Sequence, residues 1–466
     1  MSGNEKHTMD SNHDVVKALS NLLERQTYTE KVLKSLSQVV LDLHMQVRQT
    51  RASVQALSSS HLKPNGRKIR AVFLVNSIEL WDSLFDIYQK MLESDIFEPF
   101  VATINRRLGG DTHFSGEKRA SDGLTKLNIP HLRLDMEDSF AGLNILRGLA
   151  PDIIFRQSQW DDLYPPAFSS DYLSFAKLCV VPYGLIVLEK YMSKQAEREG
   201  TNKISCDTPY HRAAWRIFCE NKYALQYFES FSHAPSEKLV LSGYPKLQRL
   251  LNEAPSWPTF DKNPHHEKAF RVIWAPHHSC DNPWLNFGVF HRIYQDFVAW
   301  AREASDIEFV LKPHPELFKS VVNRNVMSQA ALDNFLTEWL SLPNCAYENE
   351  RYGGLFAASD LMITDGISFF IEYPIFDKPL IFFNSGVHAE LNAVGKLAIA
   401  CANTVYTFEE MKKTALGYKN KTVDDTHKSD REYLKQILFP NKKPSCDIIL
   451  ENISEGLGVN IESTMS

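Results

Sequence analysis

The chain has 466 residues, more than one compact core holds and enough for two domains with further segments. Lys and Arg number 51 against 57 Asp and Glu, a formal charge of −6, so nucleic acid is not an expected partner. At 44% hydrophobic and 23% charged the composition is that of a globular protein, and no run reaches the ~18–20 apolar residues of a membrane span.

The opening MSGNEKHTMDSNHD is polar, lacks the apolar region of a secretion signal and reads as a flexible tail over 1–14. A cytoplasmic protein is expected. Residues 15–57 carry a seven-residue repeat. One seam runs Leu19, Gln26, Leu33, Val40, Val47, Val54 and the other Val15, Leu22, Thr29, Leu36, Leu43, Thr50, Leu57. Ten of these thirteen positions are aliphatic, without Pro or Gly, which predicts a coiled-coil helix that joins copies of the chain, with a parallel dimer favoured. The alternative is an amphipathic helix packed on its own body. Residues 58–68, with Ser, Pro and Gly and no period, read as a linker.

From there short β-branched runs alternate with helical periods. Strands are predicted at 68–75, 97–104, 151–155, 177–184 and 237–245, with a helix at 78–94, giving a first α/β domain over 69–255. The proline-rich stretch 252–268 marks a boundary. A second series then begins: strand 270–276, helix 284–304, strand 307–313, helix 316–341, strand 344–348, a short helix near 351–358, strand 360–364, helix 367–375 and strand 378–383. The second domain is placed at 270–440 and a last helix with a polar tail at 441–466. Two successive α/β units facing across a cleft, preceded by the coiled-coil helix, describe the GT-B architecture. The seven cysteines form no C-x-x-C pair and are read as reduced, buried thiols.

Ligands of open α/β sheets sit outside the carboxyl ends of the strands, and four strand ends here are distinctive. In LKPHPELF (311–318) two prolines pin the backbone around His314 beside Lys312, at a helix start suited to phosphate; the plain alternative is a turn histidine bonded to a carbonyl. In MITDGISFFIEYPIFDKPLIFF (362–383), Thr364, Asp365, Gly366 and Ser368 resemble an anion cradle, or simple helix capping, with Glu372 one turn on. VIWAPHHS (272–279) ends in His277 and His278. Adjacent histidines at a strand end point to different sides and no further ligands stand at usable spacing, so no metal site is expected. LSGYPKLQRL (241–250) alone is a strand-to-helix turn with a basic start.

Together, in order and spacing, these four stretches resemble the CDP-glycerol glycerophosphotransferase family of teichoic-acid and capsule polymerases and primases, over 215–385. The resemblance implies that His314 and Ser368 contact a donor diphosphate, that Thr364 and Asp365 support that loop, and that Glu372 lies near the nucleotide. The family's first domain carries a W-H-G loop whose histidine activates the acceptor. Here the counterpart is Val181-Pro182-Tyr183-Gly184, with Tyr183 and Gly184 on the acceptor side and no histidine, so the base is open among Asp161, Asp162, His233 and one of His277 or His278. The expected reaction moves glycerol phosphate from a CDP-activated donor to a hydroxyl of a lipid-linked or growing surface glycan at the inner membrane face. No obligatory cofactor is expected, with Mg²⁺ able to assist. The rivals are a GT-B glycosyltransferase using a CMP- or UDP-sugar, and a coiled-coil scaffold with a degenerate GT-B body.

Overall fold

Short aliphatic runs form two separate parallel sheets. The structure, a computed structural model, describes residues 4–60, 67–107, 111–189, 206–231, 233, 235–282, 285–349 and 352–459. The first sheet contains β1 (Ile69–Val75), β2 (Phe97–Thr103), β3 (Leu132–Arg133), β4 (Ile153–Arg156), β5 (Lys177–Val180), β6 (Arg216–Cys219) and β7 (Leu239–Leu241), in the order β3-β2-β1-β4-β5-β6-β7. The second contains β8 (Phe270–Ala275), β9 (Ile307–Leu311), β10 (Cys345–Tyr347), β11 (Leu361–Thr364), β12 (Leu380–Phe383) and β13 (Asn403–Val405), in the order β10-β9-β8-β11-β12-β13. Strand order reverses between β1 and β4 and again between β8 and β11, so each lobe has the switch-point crevice of a doubly wound fold. The expected pair of Rossmann-like lobes is present.

Side chains along each strand alternate between two cores, as the period of 2 requires. In β1, Ile69, Ala71, Phe73 and Val75 enter one core while Val72 and Leu74 enter the other. In β8, Val272 and Trp274 face one side and Ile273 and Ala275 the other. Trp274 stacks on Phe297 of helix Phe290–Glu303 at 3.9 Å between ring centres. All seven cysteines are unpaired and buried.

Among the described residues, the connections between the lobes include the following. The segment after β5 meets the second lobe, where Asn392 donates to the Ile186 carbonyl at 2.9 Å and Glu189 N–H to the Glu390 carbonyl at 3.0 Å. The stretch 252–268 is stitched to the second lobe by Glu308, a buried carboxylate of β9, which accepts from Trp257 at 2.8 Å and Asn263 at 3.2 Å and lies 2.6 Å from His266 Nδ1. Finally, helix Ser445–Gly456 crosses back: Cys446, Ile449 and Ile453 complete the core under β1. The segment placed after the second domain therefore packs on the first.

Other boundaries differ from expectation. The first helix runs Asn4–Ser60, so residues 4–14 are helical rather than a loose tail, and 58–60 continue the helix; residues 1–3 of that tail, 61–66 of the expected linker and 460–466 at the end lie outside the described residues. Its seam residues Leu19, Leu22, Leu33, Leu36, Val40, Leu43, Val47 and Val54 are 53–67% exposed, and Arg48 ties the helix to the first lobe through Asp171 at 2.6 and 2.7 Å. The helix predicted at 316–341 is two, Leu317–Asn323 and Gln329–Ser341, because Asn325 adopts a left-handed φ of 56° and Ser328 caps a new start on Ala331 N–H. No described helix is long and apolar enough to cross a membrane.

Candidate functional site

β9, β8 and β11 are neighbours, so the residues that follow them converge at one carboxyl edge. His314 N–H donates to the Pro276 carbonyl at 3.0 Å, joining the turn after β9 to the turn after β8. Asp365, after β11, accepts from His277 N–H and from Val289 N–H, both at 2.6 Å. Burial outweighs these two bonds and pushes the Asp365 carboxyl up to about 7. Thr364 Oγ1 donates to the Ala275 carbonyl at 2.7 Å and accepts from Gly366 N–H at 3.0 Å, so the cradle loop is fastened to β8. A Cβ on Gly366 would stand 3.4 Å from His277, in ordinary contact with that side chain.

These turns form one wall of a cavity of about 1580 Å³ between the lobes. Lys312, His314, Thr364, Gly366, Ser368 and His277 line it from the second lobe. Lys246, from the SGYPKLQRL stretch, lines it beside them, and Tyr352 and Trp257 add aromatic surface. Helix Glu117–Lys126 of the first lobe contributes Lys118, Arg119 and Lys126 to the opposite side. The sequence reading missed this helix; Lys126 follows Lys118 and Arg119 by two turns, but only the fold turns them toward the cleft.

The three histidines lie together. His277 and His314 ring centres are 5.2 Å apart, and His278 packs on His314 at 4.1 Å. One ring nitrogen from each lies within 4.8 Å of the others. The expectation that no further ligand approaches the His277-His278 pair is thus corrected, since sheet order brings in His314 from a neighbouring strand. Burial lowers all three: His314 to about 3, helped by His278 and Lys312, His278 to about 4, and His277 well below its ordinary 6.5. They are neutral at pH 7, and imidazoles this acidic are poor proton acceptors there, which counts against any of them as the base.

Several expected site residues are elsewhere. Asp161 is half-buried in the first lobe, held by Arg156 at 2.7 Å and by Ser170 Oγ at 2.6 Å, and is not on the cavity wall, so it is a structural anchor. His233 pairs with Asp207 at 2.7 Å, and neither it nor Asp162 is among the lining residues. Tyr183 and Gly184 do not line the cavity either: the Tyr183 phenol accepts from Trp160 at 3.2 Å, and burial holds it above its ordinary pKa. Glu372 is buried, accepting from Lys246 at 3.1 Å and from the Tyr352 hydroxyl at 2.6 Å; it is not among the lining residues and orders the wall from behind. The helix expected at 367–375 is a single turn, Phe369–Glu372, followed by a 3-10 turn, because Pro374 removes an N–H donor. Ser368 therefore precedes one helical turn and not a long dipole.

Residues 189–389 match the family described as CDP-Glycerol:Poly(glycerophosphate) glycerophosphotransferase. No curated protein sequence matches the chain. Among solved structures, the wall teichoic acid polymerase TagF, in a variant soaked with CDPG, is 14% identical with a TM-score of 0.52, over 90% of this chain and 95% of that one. A UDP-GlcNAc 2-epimerase from Neisseria meningitidis bound to UDP-GlcNAc is 13% identical with a TM-score of 0.52, over 83% of this chain and 100% of that one. At such identities the structural likeness establishes the two-lobed fold, and the family match carries the resemblance read from the strand ends.

Proposed function

We propose, on the premise that residues 189–389 belong to the CDP-glycerol:poly(glycerophosphate) glycerophosphotransferase family, that the chain transfers a glycerol-phosphate unit from a CDP-activated donor to a hydroxyl of a surface-polymer precursor. The observation that carries this reading is the convergence of the LKPHP, TDGIS, APHHS and SGYPK stretches on one interlobe cavity. In the proposed reaction an acceptor oxygen forms a bond to the donor's β-phosphorus, the bond from that phosphorus to the bridging oxygen breaks, CMP leaves, and the hydroxyl proton passes to solvent. Phosphoryl transfer asks chiefly for positioning and charge stabilisation. His314 and Ser368 are assigned to the donor diphosphate, Lys312 and Lys246 to its charge, and Thr364 and Asp365 to holding the loop. The reading needs no resident metal, and omitting or adding Mg²⁺ in the assay tests that.

Purified protein offered CDP-glycerol with an acceptor is expected to release CMP, and His314→Gln to slow that release about 100-fold, the scale of one lost electrostatic donor. Turnover of a UDP- or CMP-sugar instead overturns the donor assignment, and polymer synthesis that survives His314→Gln favours a scaffold. The exposed seam of helix Asn4–Ser60 supports a second proposal, that two copies pair through it in parallel and hold their bodies at one membrane face. Light scattering should give a dimer for the full chain and a monomer without residues 1–60; equal oligomer numbers refute the pairing.

A further inference from the structure

Three ring nitrogens within 4.8 Å would suit a metal ion, but the hydrogen bonds on the far side of two rings decide the charge of the ligand. Glu316 N–H donates to His314 Nδ1 at 3.1 Å. Ser279 N–H donates to His277 Nδ1 at 3.3 Å, and Ser279 Oγ, which already accepts Phe287 N–H at 3.0 Å, lies 2.8 Å from the same nitrogen. In a neutral imidazole whose Nδ1 accepts, the proton sits on Nε2. A metal takes a lone pair, and its histidine ligands usually donate from the other nitrogen to a carbonyl or carboxylate; here both Nδ1 atoms face backbone donors. The rings are set to give hydrogen bonds, and what they receive is an anion.

Both residues line the cavity, whereas His278 does not and packs against His314 as a wall. The backbone of His277 is fixed by Asp365, its ring by Ser279, and its side packs on Gly366. We propose that His277 joins His314 as a second Nε2–H donor to the diphosphate oxygens of the nucleotide donor, with Ser279 the positioning residue that sets its tautomer. The inference deepens the transferase reading and rests on it for the identity of the anion. The sequence VIWAPHHS thereby gains a role for its first histidine, and two neutral donors held a ring's width apart match two oxygens of one diphosphate better than a single imidazole does.

The experiment titrates the full-length chain with inorganic pyrophosphate, CMP and Zn²⁺ by calorimetry and follows CMP release from CDP-glycerol. His277→Asn is expected to weaken pyrophosphate binding by 10- to 100-fold, the range for one hydrogen bond to a charged group, with CMP affinity changed less. Ser279→Ala removes the hydroxyl but keeps the backbone N–H on Nδ1, so it is expected to raise KM for the donor about three- to tenfold and to shift the ¹⁵N resonances of His277 only part of the way from the Nε2–H pattern, which loss of packing alone does not do. Unchanged pyrophosphate binding in a folded His277→Asn protein overturns the inference, as does a wild-type His277 with its proton on Nδ1. Tight Zn²⁺ binding lost in both His277→Asn and His314→Asn also overturns it in favour of a metal. If the wild type turns over CDP-glycerol while His277→Asn is unaffected, the inference fails and the transferase stands. If pyrophosphate binding depends on His277 but no CDP donor turns over, the transferase reading fails and the anion receptor stands.

Discussion

Glu220 follows β6 at the carboxyl edge of the first sheet and is 1% exposed. Its carboxyl accepts a long hydrogen bond, 3.3 Å, from Ile186 N–H, and burial lifts its pKa from 4.5 to about 7. At about 1.36 kcal/mol per pH unit, that difference corresponds to about 3 kcal/mol against the ionised form. The sign follows from proton counting. Between pH 4.5 and 7 the folded chain keeps a proton that the unfolded chain has released, so stability falls as pH rises through this window and stays low above it. Glu220→Gln keeps the shape and removes the charge. Denaturant unfolding of the first lobe should place variant and wild type within a small constant offset at pH 5, and the variant about 3 kcal/mol further ahead at pH 8.5. Comparing the two proteins cancels the other titrating groups. A gap that does not widen with pH refutes the account of Glu220 as a carboxyl buried without adequate compensation. The Ile186 carbonyl is the one that Asn392 of the second lobe engages, so Glu220 stands beside the bridge between lobes.

Three further outcomes are expected. His211 and His314, both lowered to about 3 by burial, bind fewer protons folded than unfolded, so stability should fall as pH drops below about 6.5, by about 2 kcal/mol each at pH 5; His211→Gln should blunt that fall in an acid series of thermal melts. Glu372→Gln removes the charge and one of the two acceptor oxygens, so it can no longer serve both Lys246 and Tyr352, and because Lys246 lies at the cavity and can rehydrate, the cost should be near the low end of a broken buried pair, about 2–3 kcal/mol, with a higher donor KM in the same assay. Gly354→Ala puts a Cβ 2.5 Å from the Ala254 carbonyl, where backbone cannot yield cheaply, and should cost about 1–3 kcal/mol in denaturant unfolding while disturbing the Ser256–Gly354 bond at the 252–268 connection; a neutral change contradicts the packing.

The elements that carry the site were readable because they are buried strands bounded by proline and glycine. VIWAP, FVLKP and LMITDG each announce a strand and its end, and the structure ends β8, β9 and β11 within a residue or two of those places. What the sequence could not supply was adjacency. His277 and His314 belong to turns separated by a whole helix, and only the order β9-β8-β11 sets them side by side. The fate of the acids was hidden for the same reason: Asp161 and Glu372 look available in sequence, but Arg156, Ser170, Lys246 and Tyr352 reach them through the fold. The break at Asn325 and the return of helix Ser445–Gly456 to the first lobe depend on a backbone angle and a long-range core that local periodicity does not encode.

Those relocations change how the proposed chemistry must be argued. Tyr183, read from the sequence as the counterpart of the resembling family's imidazole, is a phenol that burial holds above its ordinary pKa, and such a group does not accept a proton at neutral pH. The histidines of the second lobe are too acidic to replace it. A transfer through a loose transition state needs little help from a base, because the attacking oxygen bonds weakly and its proton departs late. It needs instead fixed donors on the phosphoryl and leaving-group oxygens. The second lobe supplies such donors on turns fastened to one another by Asp365, Thr364 and the Pro276 carbonyl. On this argument the rate should vary weakly with pH between 7 and 9 and strongly with substitutions at 277, 314 and 312; a steep rise with an apparent pKa near 7 would instead require a base, and Glu220 and Asp365 are the buried carboxyls that would then have to be tested.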